Sequence, residues 1–200
     1  MLGALVAMGL SSCIKDGETY DAAAQYEIEK PLIEEYAKTH LDNYDHKDIQ
    51  GFRVYFEIIE PGDLGSYQYK LGKHPNNPNQ SIAIPAEAIV SYEGRLVVGN
   101  KEFESKEDQK FIIPNNIIPA WQIAFMPDKI RYDEDGEPLS EPFNFGGLTE
   151  EGLQPGSVIR IVTPSYWAYQ DAAQGSIPAN SPLYFEIAVS EIADYEFDNN

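Results

Sequence analysis

Residues 156–187, GSVIRIVTPSYWAYQDAAQGSIPANSPLYFEI, form the stretch of sequence that decides the fold. Apolar and polar residues alternate in Ser157–Thr163, which predicts a strand with one buried face. The run Pro182–Ile192 is rich in aliphatic and aromatic residues and predicts the last strand of the chain. The loop between them, Gln170–Ser181, is too short to hold a further domain. The stretch therefore predicts two strands joined by a compact loop.

The sequence before this stretch predicts three further strands and a short helix. β-Branched and aromatic residues predict strands at Phe52–Glu60, Ala88–Val98 and Phe111–Ile113. An asparagine pair followed by an apolar run predicts a short buried helix at Asn115–Phe125. Five strands around one short helix indicate an α+β fold with an antiparallel sheet.

Two polar segments predict insertions, near residues 63–84 and 126–152. Gly65–Ser81 contains many Gly, Pro and Asn residues, which predicts a loop or a broken hairpin. Met126–Gly152 carries many more acidic than basic residues together with several Gly and Pro, which predicts a surface loop. Its run Asp133–Glu137 lacks the full spacing of a calcium-binding loop, so we expect no metal there.

The segment before the first strand, Lys15–Gly51, is polar and acidic with helical character in its middle. The apolar positions that recur at three- and four-residue spacing, as on one face of a helix, are Leu32, Ile33, Tyr36, Ala37 and Leu41. Pro31 fits the first turn of that helix. We interpret residues 13–50 as a linker that acts as a spacer, and the alternative is a helix docked on the domain or on a partner.

The first thirteen residues predict a lipoprotein signal. Met1–Leu10 is an uncharged apolar run, shorter than the ~20 residues that span a bilayer and suited to a secretory signal. Leu10-Ser11-Ser12-Cys13 resembles the lipobox of bacterial lipoproteins, in which the thiol receives the lipid. We expect a signal peptide at 1–12, a lipid on Cys13 and a protein anchored in the cell envelope, facing the periplasm or on the outer-membrane surface. No Lys or Arg precedes the run, and the alternative is a buried N-terminal segment with a chance cysteine.

Composition excludes several classes of function. The chain has 33 acidic and 14 basic residues and a formal net charge of −19, which suits neither nucleic acid nor anionic lipid, and residues 194–200 form an acidic tail. Its single cysteine excludes an internal disulfide and a cysteine-based zinc site. His40, His46 and His74 lie far apart without metal-ligand spacing. We therefore expect no metal, no cofactor and no nucleic-acid partner.

Five fragments follow one another along residues 51–193: GFRVY at 51–55 with EPG at 60–62, VSYEGRL at 90–96 with Gly99 and FES at 103–105, IIPAW at 117–121, VIRIVTPSYWAY at 158–169, and GSIPANSPLYFEI at 175–187. In this order they resemble the FKBP family of peptidyl-prolyl cis-trans isomerases, and the most specific part is Ala-Tyr followed by Gly-x-Ile-Pro-x-Asn. The resemblance implies a twisted antiparallel sheet wrapped around one short α-helix, here with an N-terminal helical extension.

The resemblance also implies a pocket between the helix and the sheet. Trp121 would form its floor under a proline ring, the Ile118 N–H would bind one substrate carbonyl, and the Tyr169 hydroxyl would bind another. The catalytic residues carried over are Tyr92, Phe103, Glu104, Trp121, Tyr169 and Phe185, and the substrate-binding residues are Ile117, Ile118 and Ile177.

Isomerisation of an X–Pro bond breaks no covalent bond, because the barrier of roughly 18–20 kcal/mol comes from amide resonance. An apolar aromatic pocket lowers that barrier by binding the twisted amide preferentially, so no nucleophile, base or metal is required. The expected function is a prolyl isomerase that assists folding of proline-containing exported proteins. The alternative is a catalytically weak FKBP-like lipoprotein that binds a peptide or protein partner. The sequence makes no prediction of the oligomeric state.

Three positions depart from the family's pattern and predict reduced efficiency. Glu104 stands where the family usually has Asp, so its hydrogen bond toward Tyr169 is displaced. Ala120 and Gln170 each replace a Gly, and Gln170 is strained if that position has a positive φ. The acidic insertion 126–152 follows the helix beside the expected pocket rim. We interpret it as a neutral surface loop, with a lid or a partner contact as alternatives.

Overall fold

The computed structural model describes residues 20–74 and 76–196, so the predicted signal, Cys13 and the end of the acidic tail lie outside the described residues. Within these ranges the chain forms an α+β fold, as expected. The elements are α1 Ala22–His40, β1 Asp45–Ile49, β2 Phe52–Pro61, β3 Lys70–His74, β4 Asn77–Ala83, β5 Ala86–Leu96, β6 Glu102–Ile113, α2 Pro119–Phe125, β7 Lys129–Asp133, β8 Pro138–Asn144, β9 Ser157–Thr163 and β10 Leu183–Asp194.

The main sheet has six strands in the order β1-β2-β9-β10-β5-β6, and every neighbouring pair is antiparallel. Its two central strands, β9 and β10, are those predicted from residues 156–187. Alternation along β9 gives the sheet two apolar faces. Ile159 and Ile161 join the core that includes α2, whereas Val162 joins the core that includes α1. The predicted antiparallel sheet around a short helix is therefore confirmed.

Helix α2 is short and almost fully buried. It begins at Pro119, later than the predicted Asn115, because a proline has no N–H and is suited to the first helical position. Ala120, Trp121 and Phe125 are buried against the main sheet. The methyl group at Ala120, where the family has Gly, is accommodated without exposure to solvent.

Helix α1 is docked on the domain, so the interpretation of this segment as a spacer is wrong. Ile33, Tyr36 and Ala37 pack on the face of the main sheet opposite α2. The cluster also includes Tyr26, Leu41, Tyr55, Val97, Val162 and Tyr184. The apolar side chains on this face of the sheet require a cover, and α1 provides it.

Two further features of the predicted linker differ in the structure. Pro31 lies in the interior of α1 rather than in its first turn, because the helix begins at Ala22 with Asp21 as its N-cap. Strand β1, inside the predicted linker 13–50, pairs with β2 from Asp45↔Phe56 to Ile49↔Phe52. The folded domain therefore begins before Gly51.

The two insertions pair with each other to form a second sheet, in the order β4-β3-β7-β8. Strands β3 and β7 are parallel and join at Lys70↔Tyr132 and Leu71↔Asp133. The interpretation of Met126–Gly152 as a loop is wrong, because it contains the antiparallel pair β7–β8. Ile130 of β7 is fully buried in the core, whereas most of β8 is exposed, which explains the polar composition.

Strand β6 extends from Glu102 to Ile113, far longer than the predicted Phe111–Ile113. Its first part is polar and exposed because β6 is the edge strand of the main sheet, so composition gives no signal there. Among the described residues, no helix combines the length and the apolar character needed to cross a bilayer.

Candidate functional site

A cavity of about 520 Å³ lies between α2 and the main sheet. Its walls come from β5, β6 and β10, from the start of α2, and from the loop after β9. The lining residues are Tyr92, Phe103, Glu104, Phe111, Asn116, Ile117, Ile118, Pro119, Trp121, Tyr169 and Phe185. The structure thus brings together residues from five separate parts of the sequence.

Every residue that the sequence analysis assigned to the pocket lines this cavity except Ile177. Ile177 is only 5% exposed and belongs to the core, within a turn closed by two hydrogen bonds between its backbone and that of Gln174. Ile177 is therefore not among the residues that line the cavity, and its role in substrate binding stays a prediction. The sequence analysis missed Phe111, Asn116 and Pro119, which adjoin predicted lining residues in the sequence or lie in a predicted strand.

Trp121 forms the floor of the cavity and is 4% exposed. Its ring lies edge-to-face with Tyr92 at a centroid distance of 4.9 Å, with Phe111 at 5.2 Å and with Phe185 at 5.6 Å. Such edge-to-face pairs each add about 0.5–1.5 kcal/mol beyond the burial of their area. The aromatic walls therefore hold one another in fixed orientations.

Gly94 of β5 allows two of these walls to meet. The rings of Phe103 and Phe185 lie 5.7 Å apart at an interplanar angle of 84°. A Cβ at Gly94 would lie 3.1 Å from Phe185 Cε1 and closer still to the ring of Phe103. A side chain at this position would displace the Phe103 ring.

The cavity contains one carboxylate, Glu104, and it is bound to a tyrosine. The Tyr92 hydroxyl donates a 2.7 Å hydrogen bond to Glu104 Oε2. Burial raises the pKa of Tyr92, and the hydrogen bond to Glu104 and its charge raise it further. Burial and then the charge of Glu104 also raise the pKa of Tyr169. Both tyrosines are therefore neutral phenols at physiological pH and act as hydrogen-bond donors.

Several polar hydrogens at the cavity donate to no described residue. Among them are the buried Trp121 Nε1–H and two groups of lining residues, the Tyr169 hydroxyl and the Ile118 backbone N–H. Ile118 is the N-cap of α2, and its carbonyl accepts bonds from the N–H groups of Trp121 at 2.9 Å and Gln122 at 3.1 Å. The Gln122 side chain donates to the carbonyl of Pro114 at 2.9 Å, which ties the preceding loop to the helix.

The loop that carries Tyr169 begins with a 3₁₀ turn at Ser165–Trp167. The Ser165 carbonyl accepts hydrogen bonds from the N–H groups of Ala168 and Gln170, both at 2.9 Å, so it holds the residues on either side of Tyr169. Gln170 has a φ of +56°, in the left-handed region, which is the condition under which the sequence analysis expected strain at this position. The loop is closed by the Asn180 N–H, which donates to the Gln170 carbonyl at 2.8 Å.

The acidic insertion contributes no residue to the lining of the cavity. The expectation that it borders the pocket is therefore wrong, because residues 129–144 are held in the second sheet. No group of three or more His, Cys, Asp or Glu side chains in residues 20–74 and 76–196 could hold a metal ion.

No protein-family model and no curated protein matches this chain. Among solved structures, it is similar to FkpA from Escherichia coli, with a TM-score of 0.50 and 18% identity over 86% of this chain and 62% of that chain. It is also similar to a peptidyl-prolyl cis-trans isomerase from Pseudomonas syringae pv. tomato, with a TM-score of 0.51 and 19% identity over 89% of this chain and 100% of that chain. The chain thus spans less than two thirds of the length of FkpA. These likenesses confirm the FKBP-like fold that the ordered fragments imply.

Proposed function

We propose that this chain is a peptidyl-prolyl cis-trans isomerase that acts on X–Pro bonds of exported polypeptides. The observation that carries the proposal is the aromatic cavity, whose lining includes Ile118 and Tyr169 with donors that bind no described residue. Aromatic walls suit a proline ring, and donors at the rim suit the carbonyls of a peptide backbone. The fold shared with a solved prolyl isomerase supports the same conclusion.

The walls provide binding and desolvation. The proline ring lies on Trp121, between the side chains of Tyr92 and Phe185. Rotation of the amide out of its plane removes the resonance that places negative charge on its oxygen. The oxygen of the twisted form is therefore hydrated less strongly, and excluding water costs it less free energy than it costs the planar form. A cavity that fits the twisted amide better than either planar isomer accelerates both directions of rotation.

The donors fix the peptide on either side of the proline. The Ile118 N–H and the Tyr169 hydroxyl each donate a hydrogen bond to a backbone carbonyl of the substrate. Because both donors belong to groups fixed by the protein's own hydrogen bonds, the peptide is oriented at little further entropic cost. The chemistry requires no proton transfer, which agrees with tyrosines that remain neutral.

A second candidate function is a binding module with weak catalysis. The hydrogen bond from Tyr92 to Glu104 favours it, because the carboxylate is paired with Tyr92, a wall residue, and does not orient the Tyr169 hydroxyl. The left-handed φ of Gln170 favours it too, since this residue adjoins Tyr169. We expect activity to be retained but reduced.

We also propose that the protein is anchored in the cell envelope through a lipid on Cys13. The lipobox-like sequence Leu10-Ser11-Ser12-Cys13 supports this assignment. An anchor outside the cytoplasm places the site near exported chains, which fold in the presence of slow X–Pro isomerisation.

A proline-limited refolding assay tests the enzymatic function. Micromolar protein should raise the rate constant of the slow phase in proportion to its concentration. Tyr169→Phe removes one donor and should lower this acceleration by about two- to tenfold, the range expected for one hydrogen bond. Tyr132→Phe, the same change in the second sheet, is the matched control and should leave it unchanged.

The possible results of this assay separate the two candidate functions. A slow phase that the wild-type protein does not accelerate would exclude the isomerase. Binding of an X–Pro peptide by that same inactive protein would then establish the binding module. Equal activity of Tyr169→Phe and Tyr132→Phe would show that the Tyr169 hydroxyl does not contribute to catalysis.

A further inference from the structure

A buried carboxylate lies outside the cavity, on the N-terminal helix. Glu29 of α1 is 1% exposed, and both of its carboxylate oxygens accept hydrogen bonds. Its Oε2 accepts from the Ser165 N–H at 2.7 Å, and its Oε1 accepts from the Ser165 hydroxyl at 2.6 Å and from Gln25 Nε2 at 2.7 Å. A buried carboxylate is costly unless its oxygens are paired in this way. Glu29 therefore recognises both donors of one residue, Ser165.

Ser165 connects this carboxylate to the cavity. It begins the 3₁₀ turn after β9, and its carbonyl accepts the N–H groups of Ala168 and Gln170. These two residues flank Tyr169, whose hydroxyl lies at the cavity. Glu29 thus accepts hydrogen bonds from the N–H and hydroxyl of Ser165. The carbonyl of Ser165 in turn accepts hydrogen bonds from the backbone on either side of Tyr169.

Aromatic contacts join the same helix to the same turn independently of the carboxylate. Tyr26, one helical turn before Glu29, lies edge-to-face with Phe52 at 5.2 Å. The Phe52 ring in turn stacks on Tyr166 of the turn at 3.9 Å and 11°. Helix α1 therefore meets the Ser165–Trp167 turn through a polar contact and an apolar one.

We propose that Glu29 is a positioning residue for the site: it fixes the turn that holds Tyr169 at the mouth of the cavity. The inference rests on the proposed prolyl isomerase function. A carboxylate is required because both of its oxygens accept hydrogen bonds. A glutamine has one acceptor oxygen, and its NH₂ group would face a donor of Ser165. The N-terminal helix α1 thereby contributes to the position of Tyr169 and hence to catalysis.

The central test compares Glu29→Gln with Glu27→Gln, the same change at an exposed position of the same helix. Catalysis and binding are measured on a short peptide with a central Leu-Pro bond, at a temperature where each variant is folded. Glu29→Gln should lower kcat by about tenfold, because small displacements of orienting groups reduce rates by up to about 10²-fold. Its peptide Kd should change by less than about threefold, because the aromatic walls that supply most of the contact remain. Glu27→Gln should match the wild type in both.

A spectroscopic readout reports on the turn itself. The chain has two tryptophans, and in a Trp121→Phe background the one that remains, Trp167, is a buried residue of the turn. Glu29→Gln in that background should increase quenching of Trp167 fluorescence by acrylamide about twofold. Glu27→Gln should leave the quenching unchanged. A loss of global stability alone would not produce this change in a folded protein.

Each result decides the proposal. Wild-type kcat together with unchanged Trp167 quenching in Glu29→Gln would overturn it while leaving the isomerase function intact. A wild-type protein that neither binds nor isomerises the peptide would overturn the isomerase function, and the role of Glu29 with it. If Glu29→Gln does not fold, Ser165→Ala serves in its place, because it removes the hydroxyl donor and keeps the N–H. Ser165→Ala should lower kcat by about threefold, and unchanged kcat in this variant would overturn the proposal.

Discussion

At the scale of single residues, two departures from the family's pattern have different consequences. Glu104 is one methylene longer than Asp, and its carboxylate pairs with Tyr92 while the Tyr169 hydroxyl remains available for a ligand. Gln170 stands where the family's pattern has Gly, and its φ of +56° lies in the left-handed region that favours glycine. The Glu104 departure therefore changes which polar groups face a ligand, whereas the Gln170 departure imposes backbone strain beside the site.

Gln170→Gly should stabilise the protein. Relief of the left-handed conformation gains roughly 1–2 kcal/mol, and the greater freedom of glycine in the unfolded chain costs roughly 0.5–1 kcal/mol. We expect the free energy of unfolding, measured by urea denaturation, to rise by about 0.5–1 kcal/mol. Gln109→Gly, at an exposed position inside β6, is the control and should lower it. A decrease of equal size in both variants would show that Gln170 is not strained.

At the scale of elements, α1 is the main difference between expectation and structure. Its apolar spacing was sufficient to predict a helix, since Ile33, Tyr36 and Ala37 are buried on one face. Its docking was not predictable, because the partners of that face, among them Tyr55 and Val162, are distant in sequence. Periodicity reports which side of a helix is apolar, not what covers it.

Ile33→Ala should show that α1 belongs to the cooperative core. Ile33 is 0% exposed, and truncation of such a side chain costs about 2–4 kcal/mol in the free energy of unfolding. Ile28→Ala on the same helix is the matched control, because Ile28 is 64% exposed and its truncation should cost less than about 0.5 kcal/mol. Chemical denaturation followed by circular dichroism measures both. Equal stability of the two variants would restore the interpretation of α1 as a spacer.

The second sheet and the site show the same limit of sequence analysis. The strands that build the core are predictable because they are rich in β-branched and aromatic residues, and because apolar residues alternate in Ser157–Thr163. Strands β7 and β8 were predicted as a loop, since most of β8 is exposed and its composition is that of a surface segment. Most of the cavity lining is predictable from the ordered fragments. Phe111 and Asn116 are not, because their place in the lining depends on how β6 and the loop before α2 pack beside Trp121 in the folded chain.

At the scale of the whole molecule, the docking of α1 changes the geometry of the proposed anchor. If Cys13 carries the lipid, residues 14–21 separate it from α1 instead of a linker that reaches residue 50. Each residue spans at most about 3.6 Å, so the domain is held close to the bilayer. A formal charge of −19 opposes contact with anionic lipid, so the proposed covalent anchor would be the main attraction to the membrane.

Cys13→Ala should therefore move the protein from the membrane fraction to the soluble fraction at any salt concentration, because a net charge of −19 gives no overall attraction to anionic lipid. Ser12→Ala keeps a small residue before the cysteine and is the control that should remain in the membrane fraction. Intact mass spectrometry of the membrane-extracted wild type should give a chain that lacks residues 1–12 and carries lipid. A mass equal to the unmodified 22.4 kDa chain would exclude the anchor. It would leave the isomerase proposal standing, because the cavity is built entirely from residues 92–185.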